Sequence, residues 1–113
     1  MEFKIEFYKT ATQSPIEDFI TDLEEPLQIK IFALLKRLRE NPFVLKDYSK
    51  KITENLFELR LYYLQKWIRI IYAFEKNKII ILLHGFIKKS NKTPANEIEV
   101  ANQRLIQIKK IKG

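Results

Sequence analysis

LFELRLYYLQKWIRIIYAFEKNKIIILLHGFIKKSNKTP, residues 56–94, decides the fold, because three strand patterns follow one another within it. Apolar and charged side chains alternate over residues 56–61, and residues 67–74 repeat the alternation. Residues 79–86 are almost uniformly apolar, which is typical of a central strand covered on both faces. We therefore expect three successive strands, two of which have one core face and one face for solvent or chemistry.

The flanking residues predict one more strand and three helices. Residues 3–8 alternate like a strand with one buried face, and a capping-box pattern at residues 14–17 begins a short helix. Helical periodicity resumes at Pro26 and stops at residues 41–42, and a closing helix follows residues 93–94. The remaining stretch, residues 43–53, has no period and is predicted to be a loop. The expected fold is α+β, a compact domain over residues 1–113 in the order β-α-α-β-β-β-α, with a mostly antiparallel sheet of four strands and an α-hairpin on it.

Composition excludes several classes of protein. The chain of 113 residues has no cysteine, so disulfides and thiolate sites are excluded. With a single histidine, a metal site would need carboxylates, which the basic part of the chain largely lacks, so no metal site is expected. The longest apolar run, residues 79–87, is too short to span a bilayer, and the N-terminus does not resemble a signal peptide, so a cytoplasmic location is expected.

Charge is unevenly distributed along the chain. Residues 1–25 carry two basic and seven acidic side chains, and the remaining residues carry nineteen basic and seven acidic ones, so −5 and +12 sum to the net +7. This asymmetry predicts a basic surface for nucleic acid. A solvated basic surface without a ligand fits the composition equally well.

Three motifs occur in a characteristic order: F-E-L-R at residues 57–60, I-R-I-I-Y at 68–72 and L-L-H-G-F-x-K-K-x-x-K-T-P at 82–94. Their order resembles the phage-derived, Gp49-like (HigB-type) branch of the RelE/ParE toxin superfamily. The resemblance implies the toxin of a type II toxin–antitoxin system, an endoribonuclease that cuts mRNA in the ribosomal A site without a cofactor and leaves a 2′,3′-cyclic phosphate. It also implies a cognate antitoxin, commonly a helix-turn-helix protein.

Arg69 and Arg60 are the first candidates for this chemistry. A metal-independent ribonuclease aligns a ribose 2′-OH with its 3′-phosphate and neutralises the phosphorane, and a guanidinium can contact two phosphate oxygens at once. An ion pair with Glu58 or Glu75 is the alternative for Arg69, and a cross-strand ion pair is the alternative for Arg60. The resemblance favours catalysis, because RelE-like ribonucleases keep a catalytic arginine in the I-R-I-I-Y segment and a basic residue at the position of Arg60.

Two further residues are candidate bases. Glu58 shares the face of Arg60 and could orient it or accept a proton, although a structural salt bridge is the simpler interpretation. The RelE branch has a lysine there, so the identity of the base stays open. His84 is the only imidazole, but its apolar strand favours a hydrogen-bonded core histidine.

Lysines extend the candidate site on both sides. Lys88 and Lys89 match the basic cluster of the family and are catalytic candidates, since a lysine among other cations can have a lowered pKa. Lys92, Lys50 and Lys51 are RNA-binding candidates. A solvated loop is the alternative for each of them.

Aromatic residues near the first hairpin complete the candidates. Tyr63 and Trp67, with Tyr62, could stack on RNA bases, whereas ordinary sheet packing would explain them equally well. Two other functions remain open: a ParE-like toxin that poisons DNA gyrase on the same fold, and a non-catalytic nucleic-acid-binding module.

Overall fold

The computed structural model describes residues 2–89 and 93–112. In chain order these form β1 (Lys4–Phe7), α1 (Pro15–Thr21), α2 (Glu25–Glu40), β2 (Ser49–Lys51), β3 (Phe57–Tyr63), β4 (Lys66–Glu75), β5 (Ile79–Lys88) and α3 (Ala95–Lys112). A 3-10 turn, Pro42–Val44, follows α2. The α+β class and the order of the predicted elements are confirmed.

The sheet has five strands in the order β1-β5-β4-β3-β2, so the prediction of four strands was wrong. β1 runs parallel to β5, and the other three pairings are antiparallel. The additional strand, β2, lies within residues 43–53, which were predicted to be a loop. It spans only three residues and is defined by its pairing with β3, so no period in its own sequence could reveal it.

Helices cover both faces of the sheet. α2 contributes an apolar stripe to the core, as its periodicity predicted, and α1 packs so closely on β5 that a Cβ added at Gly85 would lie 2.5 Å from the ring of Phe19. On the opposite face, Arg104 of α3 donates from Nη1 to the carbonyl oxygen of Leu83, 2.8 Å away. That carbonyl lies where β5 departs from regular pairing with β4.

The central strand β4 joins two hairpins whose turns both have positive φ angles. The turn after β3 uses Leu64 and Gln65, and the turn after β4 uses Asn77 and Lys78. Two consecutive residues with positive φ are typical of the type I′ turns that match the twist of antiparallel strands. Both turns therefore suit the antiparallel pairing of β3, β4 and β5.

The start of α1 differs in detail from the prediction. The helix begins at Pro15, but the side chain of Ser14 makes no capping hydrogen bond, and Asp18 N instead donates to the backbone oxygen of Ser14. Within residues 2–89 and 93–112, none of the helices has the length and apolar character needed to cross a membrane.

Candidate nucleic-acid interface

The register of β3, β4 and β5 places a group of charged side chains on one face of the sheet. Arg60 lies directly opposite Arg69, and Glu58 is two residues before Arg60 on the same strand face. One row further along, Trp67 of β4 pairs with Lys88 of β5. We call Glu58, Arg60, Arg69 and Lys88 the arginine cluster.

Arg69 and Glu58 form the buried centre of the arginine cluster. Each residue is only 2% exposed, and Nε of Arg69 lies 3.6 Å from Oε1 of Glu58. The expectation that Arg69 lies on an outward face is therefore wrong. The alternation did separate two faces, but β4 is a central strand whose residues from Ile68 to Ala73 are all buried.

The guanidinium of Arg69 has few hydrogen-bond partners. Its Nη1 donates to the carbonyl oxygen of Ile68 at 3.1 Å, whereas its buried Nε has no hydrogen-bond partner among the described residues. Burial lowers the pKa of Arg69, Glu58 opposes that shift, and Arg60 adds to it. Arginine nevertheless stays protonated, because its ordinary pKa is far above neutrality. Arg69 is therefore a permanent positive charge in a poorly solvated place.

Arg60 is the member of the arginine cluster whose side chain is exposed to solvent. Its side chain is 43% exposed, and its Nε lies 4.0 Å from Oε1 of Glu58. Opposed like charges on neighbouring strands repel, and the carboxylate between them offsets that repulsion. Oε2 of Glu58 accepts a hydrogen bond of 2.8 Å from the hydroxyl of Thr93. Both oxygens of Glu58 thus have partners, which favours the orienting role over that of a base.

Lys88 lies in the field of these cations. Its pKa is lowered chiefly by burial and then by Arg69, with smaller contributions from Arg60 and Lys50 and an opposing one from Glu58. The register and these charge interactions are consistent in placing Lys88 at the arginine cluster.

The other predicted lysines are distributed differently. Lys50 pairs with Glu58 across β2 and β3 and is exposed on the face of the cluster. Lys51 faces the opposite side and lies 3.9 Å from Glu54, so the structure does not bring it to the cluster. Lys89 is exposed just after β5. Lys92 lies outside the described residues.

Of the aromatic candidates, Trp67 and Tyr62 lie on the face of the cluster, where they pair across β3 and β4. Trp67 is 50% exposed, its ring centroid is 4.3 Å from that of the equally accessible Tyr62, and it lies 5.7 Å from the guanidinium carbon of Arg69. Tyr63 points to the other face, where Nζ of Lys30 lies 4.9 Å from its ring centroid. Tyr63 and Arg69 therefore lie on opposite strand faces, although both line the cavity between α2 and the strands.

His84 belongs to a separate network. Its Nε2 lies 2.9 Å from Oε1 of Glu97, and its Nδ1 lies 3.4 Å from Nη1 of Arg104, both on α3. Ile71 separates it from Glu58 in the register of the sheet. This geometry fits a residue that ties β5 to α3, which is the structural interpretation of His84. Among the described residues, no three histidine, aspartate or glutamate side chains are grouped to hold a metal ion.

Sequence reasoning missed three residues near the cluster. Thr93 gave no signal, because it is 35 positions from Glu58 in the chain. Lys30 and Arg37 of α2 line a cavity together with Arg60 and Arg69. Their spacing of seven residues places them on one face of a helix, so this pair could have been found from periodicity.

Comparison with known proteins gives one family. A model of the family described as phage-derived protein Gp49-like matches residues 18–106, which is 89 of the 113 residues. The matched range contains the whole arginine cluster and both newly found cations of α2. A search of curated proteins finds no match.

Proposed function

Because the chain belongs to the phage-derived Gp49-like family, which is of the RelE toxin type, we propose that it is an mRNA endoribonuclease and the toxin of a type II toxin–antitoxin system. The finer assignment, also proposed, is the HigB-type branch and cleavage of mRNA on the ribosome in the cytoplasm. The family implies a cognate antitoxin, and a helix-turn-helix protein is the proposed partner.

The arginine cluster is the observation that carries this proposal. Glu58 is the one acidic member beside Arg60, Arg69 and Lys88, so the cluster has a net positive charge of two, and Lys50 adds to its field. Partly buried charges act more strongly than solvated ones. Such a site suits the phosphorane that forms when a ribose 2′-OH attacks the adjacent phosphate, because negative charge increases on the phosphate oxygens during that step.

We assign different roles to Arg60 and Arg69 because they differ in accessibility to the substrate. Arg60 is the proposed direct contact, because its half-exposed guanidinium can present two N–H groups to two phosphate oxygens. Arg69 is proposed to act from beneath, where its charge holds Glu58 and raises the potential at the phosphate. Glu58 in turn fixes the direction of Arg60. This assignment reverses the sequence-based ranking of Arg69 over Arg60, and burial is the reason.

Lys88 is the proposed proton-transfer residue. A lysine with a lowered pKa exchanges protons at neutral pH more readily than a solvated one. As general acid it would donate a proton to the leaving 5′-oxygen as the bond from phosphorus to that oxygen breaks, while solvent water would accept the proton of the attacking 2′-OH. The products would be a 2′,3′-cyclic phosphate and a 5′-OH. Lys89 and Lys50, both exposed, would bind neighbouring phosphates, and the half-exposed ring of Trp67 would stack on a base.

Induced expression without an antitoxin tests this function against gyrase poisoning. We expect growth arrest and loss of full-length mRNA while DNA supercoiling stays normal. Arg60→Gln should relieve the arrest. Lys66→Gln is a matched control, because Lys66 lies on the same hairpin but away from the cluster. Its Nζ forms an ion pair with Oε1 of Glu24 at 3.0 Å. Intact transcripts together with gyrase-linked DNA breaks would reject the ribonuclease and favour the ParE-like function.

A further inference from the structure

A cavity of about 540 Å³ lies beside β3, between α2 and the strands, and we call it the α2 groove. Four cationic residues line it: Lys30 and Arg37 from α2, with Arg60 and Arg69 from the sheet. Asp47 is the one acidic residue in its described lining. The α2 groove is therefore strongly positive, and two of its cations belong to the arginine cluster.

Aromatic rings hold the two cations of α2 in place. Nζ of Lys30 lies 4.9 Å from the ring centroid of Tyr63, and the guanidinium carbon of Arg37 lies 5.4 Å from that of Tyr48. A cation on the face of an aromatic ring is attracted by the ring quadrupole, which limits the positions that a long side chain samples. Lys30 and Arg37 are nevertheless exposed, so their charges remain available to a ligand.

The aromatic side chains at the groove differ in whether their ring faces are accessible to a ligand. Tyr62 and Trp67 also line the groove, and both are about half exposed. Their π-faces are suited to bases, while Tyr63 and Tyr48 already face cations. A combination of cations and accessible rings is suited to a single nucleic-acid strand, whose phosphates contact the cations and whose bases stack on the rings.

We propose that the α2 groove binds the sugar-phosphate backbone of single-stranded RNA next to the scissile phosphate, with Lys30 and Arg37 as phosphate contacts. This inference rests on the proposed ribonuclease function and extends it to a second part of the surface. The strand would pass from Arg60, beside Tyr62, into the groove. Continuity of the lining favours RNA over an acidic protein segment, because the same arginines serve the groove and the cluster.

Binding of two matched double variants tests the α2 groove. Lys30→Gln with Arg37→Gln removes both phosphate contacts, and Lys36→Gln with Arg39→Gln removes the same charge from α2 on the side facing Phe3 and Phe32. The probes are a 2′-O-methyl RNA of about 12 nucleotides, which cannot be cut, and vacant ribosomes. Affinity is measured as a function of salt concentration for each probe.

The groove variant should flatten the slope of log K against log salt by about 1.4, since each phosphate contact to a single strand contributes about 0.7. The control variant should keep the wild-type slope, because Lys36 and Arg39 lie outside the α2 groove. An effect of net charge alone would appear equally in both variants. Lys30→Arg with Arg37→Lys keeps both charges and should restore the slope. An effect on the oligonucleotide supports the substrate strand as the ligand. An effect on ribosomes alone would overturn the placement of that strand in the groove, since the ligand would then be a component of the ribosome.

Equal slopes for the groove and control variants on both probes would overturn this inference while wild-type cleavage of mRNA keeps the proposed function. A groove variant that loses only antitoxin binding would also overturn it, since the groove would then be a protein interface. A wild-type protein that neither binds nor cuts RNA would reject the proposed function itself. Thermal melting of all variants shows whether a change in folding has entered the comparison.

Discussion

The buried pair of Arg69 and Glu58 should be strongly coupled in stability, and Glu58→Gln is the most informative single change. This change removes the negative charge that pairs with Arg69, which is only 2% exposed. Arg69 then faces the positive charge of Arg60, which lies directly opposite it in the sheet. Two unit charges 3.6 Å apart interact by about 5 kcal/mol at an effective dielectric constant of 20. Removal of one partner from a buried pair costs about 3–5 kcal/mol, which agrees with that value.

Arg69→Met should cost less than Glu58→Gln, since the carboxylate keeps two partners. Oε1 of Glu58 would retain Arg60 at 4.0 Å and Oε2 would retain the hydroxyl of Thr93 at 2.8 Å. The double variant should recover much of the loss, because it leaves neither buried charge unpaired. We expect a coupling free energy of about 2 kcal/mol.

Urea unfolding of wild type, both single variants and the double variant measures this coupling. Glu58→Gln should also lower Tm by on the order of 10 °C or more, as expected for a loss of about 3 kcal/mol in a domain of this size. Single-variant losses that add within about 0.5 kcal/mol would refute the electrostatic reasoning. So would an Arg69→Met protein that is less stable than Glu58→Gln.

Two further predictions concern the lysines of the cluster face. The pKa of Lys88 should rise in Arg60→Gln, because a cation that lowers this pKa is lost. It should fall further in Glu58→Gln, because the negative charge that raises it is lost. NMR titration of the lysine side chain measures both shifts, and shifts in the same direction would contradict the assigned causes. Lys50→Gln should flatten the slope of log K against log salt for RNA binding by about 0.7, whereas Lys51→Gln on the opposite face should leave it unchanged. Equal effects of the two changes would contradict a phosphate contact made by Lys50 alone.

Local patterns were sufficient for most of the fold. Period-2 alternation identified β1 and β3, proline and helical spacing placed α2, and the apolar run identified β5. β2 was not predicted, because a strand of three residues is defined only by its pairing with β3. The strand order was not predicted either, because it follows from pairing between residues that are distant in the chain. Ser14 shows the limit of a motif, since its helix begins without the hydrogen bond that the motif implies.

The sequence predicted which strands and strand faces carry the candidate residues, but not how deeply each side chain is buried. Alternation correctly put Arg60 on the face opposite Leu59 and Leu61, and Arg69 on the face opposite Ile68 and Ile70. The register brought the two arginines together. Their accessibility depends on position within the sheet, so one is 2% exposed and the other presents 43% of its side chain. Thr93 reaches the site through tertiary packing, which spacing along the chain does not encode.

Single-turnover cleavage of mRNA on programmed ribosomes is the most direct test of the central claim that the arginine cluster cuts RNA. Arg60→Lys keeps the charge at a half-exposed position and removes the two-pronged contact, so it should lower the rate by about a hundredfold or more while binding is largely retained. Lys66→Arg, outside the cluster on the same hairpin, should cut like wild type. We predict fragments with 2′,3′-cyclic phosphate ends. Intact mRNA with the wild-type protein, or an Arg60→Lys protein that cuts at the wild-type rate, would contradict the claim.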